Sequence, residues 1–225
     1  MSNVTDLQER IASIVDQSDA APTAGNDTWD LRLKYLGRAQ NKWQEAYDWS
    51  NLYKEVFANT SQATSNVTVA MPADFRRLAG FPLIVESSTE TAKEYPQIDP
   101  QERQRFGDTD EFCYMLGEPS GGYKLILHPG SLVSGASIYY NYWANAGTLA
   151  SPADVSMCPD PEYLVTEAVA SLWESREDPR YPEMKLEADR KLAQMIENEN
   201  VKGRGYDNKA DVPEETKYSF RWGRN

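Results

Sequence analysis

The side chains able to do chemistry in this chain are one histidine, two cysteines and 35 carboxylates. Nucleophilic catalysis needs a base held beside its nucleophile. His128 ends a strand-like run and is followed by Pro129, and no G-x-S-x-G elbow accompanies it. It reads as a capping or surface residue. Cys113 and Cys158 are far apart in sequence, with no CxxC, so they read as buried, reduced thiols. One histidine and two isolated cysteines do not make a zinc site. Asp108, Asp110 and Glu111 (GDTDEF) lack the glycine and distal glutamate of a calcium loop and read as a solvated acidic turn. Gly117, Gly121 and Gly122 fall in a hairpin turn with no GK[ST] and no following helix, so they do not form a phosphate loop. Paired acids could hydrolyse a glycosidic bond, but among so many carboxylates such pairs arise by chance. The residues therefore predict no catalytic group, no cofactor and no metal.

The elements that carry these residues follow from periodicity. Val4, Leu7, Ile11, Ile14 and Val15 make one helical stripe. A second helix is expected from Asn26–Thr28 to about Ala58, striped by Leu36, Ala39, Trp43, Ala46 and Tyr47 and widened by further aromatics. Strand period then takes over: Val67, Val69 and Met71 alternate, and Phe81 to Val85 is a short apolar run. Residues 87–106 read as a loop with a short helix after Pro100. Glu111–Gly117 and Tyr123–His128 read as a hairpin. Ser137–Ala144 (SIYYNYWA) has aromatics at both parities, which predicts a central or sandwiched strand. Asp160 and Pro161 open a helix, and another spans Pro182 to about Val201, after which Gly203 and Gly205 are expected to end it. The pattern predicts a mainly helical α+β fold: a helical bundle over 1–204, a small antiparallel sheet inserted at about 64–145, and an extended C-terminal arm, 205–225.

Charge is unevenly spread. The whole chain is −12, yet residues 201–225 hold six basic and four acidic groups, a net of +2, leaving the rest at −14. A body this acidic does not suit broad binding to a phosphate backbone. No apolar run approaches the ~20 residues of a membrane helix, and the N-terminus lacks the basic start and apolar core of a secretory signal. The arm carries Tyr206, Tyr218, Phe220 and Trp222 with Arg221 and Arg224. Disordered tails are poor in aromatics, so this composition predicts a segment that orders on an acidic partner surface.

Three stretches carry a resemblance to the head-to-tail connector (adaptor) proteins of tailed bacteriophages. They are Leu31–Trp49 (LRLKYLGRAQNKWQEAYDW) with the downstream Met71–Leu78 (MPADFRRL), Ile138–Trp143 (IYYNYW), and Cys158–Ile196. The likeness spans residues 27–200. It implies a structural, non-enzymatic virion protein of the neck, present in the host cytoplasm during assembly. It implies a ring, usually of about twelve copies, that sits under the portal, extends the channel and supports the next neck or tail protein. It also implies duplex DNA passing through the lumen unbound, and an arm that docks on the portal or a neighbour through Tyr206, Tyr218, Phe220, Arg221, Trp222 and Arg224. Other readings of the same sequence are a tail terminator or tail-tube subunit, a cytoplasmic adaptor unrelated to phage, and a small acid-based hydrolase.

Overall fold

The computed structural model describes residues 2–59, 67–85, 92–107, 110–118, 121–128 and 137–207. The fold is α+β, with four α-helices and two small antiparallel sheets among the described residues. The chain divides into two compact units. One is helical and contains residues 1–51 and 146–207; the other contains the strands and spans Leu52–Asn145.

In the helical unit, α1 is Val4–Val15, α2 Asp27–Ala46, α3 Pro161–Ser175 and α4 Tyr181–Asp207. Three of the starts have a local cause. Asn3 and Asp6 form a capping box at α1. The Asn26 side chain accepts from the Trp29 amide of α2 at 2.7 Å. Asp160 caps α3, with Pro161 in its first turn. Helix α3 is the centre. Tyr163 to Ala170 are buried without a break, and Leu172 and Trp173 follow, because α1, α2 and α4 all pack on it. A helix buried all round needs neighbours on every side.

The strand unit holds β1 (Tyr53–Asn59), β2 (Val67–Ala70), β3 (Phe75–Leu78), β4 (Leu83–Val85), β5 (Lys93–Glu94), β6 (Phe112–Glu118), β7 (Gly122–His128) and β8 (Ser137–Ala144). Strand β8 is the spine of a five-stranded sheet. It pairs with β1 along one edge and with β3 and β4 along the other. The second sheet has the order β2-β7-β6. Their inner faces share one core. Ile138, Tyr140, Tyr142 and Ala144 come from β8, and Cys113, Leu125 and Leu127 from the β6–β7 hairpin. On its outer face the hairpin carries a smaller cluster of Phe112, Tyr114 and Ile126. At the hairpin's end, Gly117 has φ +119°, and a Cβ there would lie 2.2 Å from the Gly122 carbonyl oxygen. The turn therefore requires glycine at that position.

The hairpin, the central place of β8, and the starts of α1, α2 and α3 match the expectations from sequence. Three expectations are corrected. The helix expected to reach Ala58 stops at Ala46, with Tyr47 extended at φ −158°, ψ 167°. The chain continues into β1, whose seven residues pair one for one with β8. The inserted β region is two sheets, and it begins at Tyr53. The last helix does not end at Gly203 or Gly205 but continues to Asp207. Each glycine costs a helix about 1 kcal/mol relative to alanine, which weakens the last turns without forcing a stop.

Candidate assembly surface

Strand alternation makes the surface. In β8, Ile138, Tyr140, Tyr142 and Ala144 point into the core, which sends Tyr139, Asn141 and Trp143 to the opposite face. Register with β1 places Phe57 opposite Tyr139, Glu55 opposite Asn141 and Tyr53 opposite Trp143. The Phe57 and Tyr139 rings lie 4.9 Å apart, and the Tyr53 and Trp143 rings 5.2 Å apart, edge to face. Such pairs stabilise a sheet by a few tenths to about 1 kcal/mol each. Phe57 is nevertheless 51% exposed and Tyr139 43% exposed. Leu83 of β4 lies opposite Tyr139 on the other side and continues the apolar band. Arg77 of β3 stands over the Trp143 ring at 5.9 Å. The face is thus a half-exposed aromatic ladder with one cation at its end.

Asp74 fastens the same sheet at its edge. Its carboxylate accepts from the Tyr142 hydroxyl at 2.9 Å and from the Lys54 ammonium, tying β8 and β1 to the loop before β3. Burial pushes the Asp74 pKa up. The Lys54 and Tyr142 hydrogen bonds outweigh that and hold it below the ordinary range.

The helical unit carries a charge network instead. Lys42 of α2 and Lys185 of α4 both contact Glu167 of α3 and Asp189 of α4, at 2.9 to 3.2 Å. Glu167 is buried, and two ammonium groups compensate it. A groove of about 480 Å³ also opens here, lined by Trp49, Pro159, Asp160, Lys191, Gln194 and Met195 among others. Asp160 in that groove is already committed to capping α3.

The residues weighed for chemistry have structural partners. His128 stacks on Phe112 with ring centroids 4.6 Å apart, and its Nδ1 lies 2.8 Å from the Asp110 carbonyl. Asp110 accepts from the Gly107 amide, and Glu111 pairs with Lys93. Asp108 lies outside the described residues. Both cysteines are buried and unpaired, and burial pushes each thiol up to about 12. Among the described residues no group of three or more His, Cys, Asp or Glu is placed to hold a metal ion. No described helix is long and apolar enough to cross a membrane. Of the arm residues, Tyr206 falls in the last turn of α4. Tyr218, Phe220, Arg221, Trp222 and Arg224 lie outside the described residues. The aromatic ladder is half legible in the sequence: IYYNYW signals β8, but the spacing of Tyr53 and Phe57 points to a helix.

A family model described as the SU10 adaptor protein matches residues 2–211. The chain belongs to the SU10 adaptor protein family. No curated protein matches it. The matched span takes in α1 to α4 and all eight strands, so the adaptor fold comprises both units. The family is one of phage head-to-tail adaptors, which makes this chain a phage adaptor protein and a component of the virion neck. The adaptor's partners are of the portal and tail classes.

Proposed function

We propose that this adaptor is a non-catalytic ring subunit: about twelve copies close beneath the portal, extend the DNA channel and present a platform to the next neck or tail protein. The family match over residues 2–211 carries this reading. Charge supports it. With −14 on the chain outside residues 201–225, an acidic lumen repels phosphate, and the duplex slides during genome ejection without being gripped. The C-terminal arm, 205–225, is the docking element. Tyr206, Tyr218, Phe220 and Trp222 supply anchors for the portal or a neighbouring copy, and Arg221 and Arg224 pair with its acids. Aromatic and arginine anchors dominate interface energetics, at about 2 kcal/mol or more apiece. Assembly proceeds in the host cytoplasm before the neck is incorporated.

Native mass spectrometry of the protein, alone and mixed with its phage's portal protein, tests the reading. A closed ring of about twelve copies, free or formed on the portal, is the expected result. A monomer that ignores the portal would overturn it.

A further inference from the structure

Strand β1 ends its sheet. Its inner edge is fully paired with β8, and its outer edge has no partner strand among the described residues. An open edge presents a row of backbone donors and acceptors ready for another strand. Beside this edge, Phe57 is 51% exposed and Tyr139 43% exposed. Glu55 lies exposed between Tyr53 and Phe57, at the same strand parity.

The chain itself contains a segment with matching chemistry. Tyr218, Phe220 and Trp222 recur at every second residue, which is the strand period. Arg224 has the same parity, while Lys217, Ser219 and Arg221 have the other. Residues 216–225 carry three basic side chains and no acidic one. Helix α4 ends at Asp207, eighteen residues before the last position. Fully extended at ~3.3 Å per residue, those eighteen reach up to about 60 Å, enough to cross to an adjacent molecule.

We infer that the β1 edge and its aromatic face receive residues 216–225 of a second copy as an added strand. In an antiparallel register that sets Arg224 opposite Glu55, Trp222 stands beside Phe57 and extends the aromatic face outward, and Phe220 and Tyr218 follow along the added strand past Phe57. Main-chain hydrogen bonds hold the strand, and the alternate aromatics set its register. This deepens the ring reading and rests on it in one respect, that copies stand side by side. It names the neighbour as the arm's seat.

Cysteine cross-linking of the full-length chain tests it. One preparation carries Glu55→Cys and the other Arg224→Cys, and they are mixed under mild oxidation. Cys113 and Cys158 are buried, with thiols pushed up to about 12, so they do not compete. A dimer linked by that disulfide is expected in the mixture alone. The yield should fall roughly tenfold when Phe57→Ser and Trp222→Ala are added, as loss of anchors requires. Arg224→Cys mixed with Glu102→Cys, exposed on a short 3-10 helix outside both sheets, should give no dimer. Circular dichroism equal to the parent's confirms that each variant folds. No dimer, or a dimer indifferent to Phe57 and Trp222, overturns the inference. So does a chain bearing both Glu55→Cys and Arg224→Cys that closes only on itself. A cross-link without any ring in native mass spectrometry would leave the β1 seat standing and remove the ring. A ring without the cross-link would do the reverse.

Discussion

Asp74 holds two strands through one carboxylate, and its titration gives that arrangement a measurable signature. The acid is bound by Lys54 from β1 and by the Tyr142 hydroxyl from β8. Its folded pKa lies below the unfolded value although burial works against this. A carboxylate with a depressed folded pKa stabilises the fold above its unfolded pKa, and the contribution disappears as pH falls through the folded one. Asp74 therefore helps at pH 7, and that help fades as pH falls below the ordinary carboxylate range and through its depressed folded pKa. Tyr142 is displaced the opposite way: burial, then the neighbouring Asp74 charge, raises its pKa, so it stays a donor throughout. The pair is partly open to solvent, which screens its worth to about 1 kcal/mol. Asp74→Asn should lower stability by about that amount at pH 7, and the gap from the parent should close between about pH 5 and pH 2. Urea midpoints across that range measure it. A constant gap would mean that the side chain acts through its shape and not its charge.

At the scale of elements, caps and stripes are legible in the sequence, while pairings between distant segments are not. Asn26, Asp160 and Pro161 each mark a helix start by chemistry confined to a few residues. Residues 47–59 contain Tyr53, Val56 and Phe57, compatible with either period over so short a run. Their state is decided by β8, distant in sequence, which pairs with every residue of β1. The aromatic face inherits that difficulty, since half of it comes from each strand. Arg32 is equally hidden. It lies on α2, 2% exposed, with one guanidinium nitrogen paired to Asp16 beyond the end of α1. Its Nε and Nη1 are buried without a hydrogen-bond partner. A buried charge with two unmet donors is costly, and replacing it by an apolar residue of similar volume is often neutral or stabilising. Arg32→Met should leave the melting temperature unchanged or raise it. Asp16→Ala, which removes the half-exposed carboxylate paired with that buried guanidinium, should lower stability by about 1 kcal/mol. The reverse order in calorimetry would show that Arg32 is held by more than this one ion pair.

At the scale of the molecule, the chain crosses between the two units twice, near residues 51 and 146, so the strand unit is one uninterrupted piece from Leu52 to Asn145. Its main core, from Met71 to Ala144, is drawn wholly from that piece and fills the space between the inner faces of its two sheets. The edge tie through Asp74, Lys54 and Tyr142 also lies inside it. The helical unit is the converse: its parts come from both ends of the chain and meet on α3. A segment that closes its own core and satisfies its own polar groups meets the requirements of an independent domain, although one of this size is only marginally stable. Residues 52–145 expressed alone should therefore show a β-type circular dichroism spectrum and one cooperative thermal transition, below that of the full chain. Residues 1–51 expressed alone should not fold, because α1 and α2 then lack the α3 surface on which they pack. An unfolded 52–145 fragment would show that the strand unit depends on the helical one for stability. The aromatic face would then need to be studied only in the intact subunit.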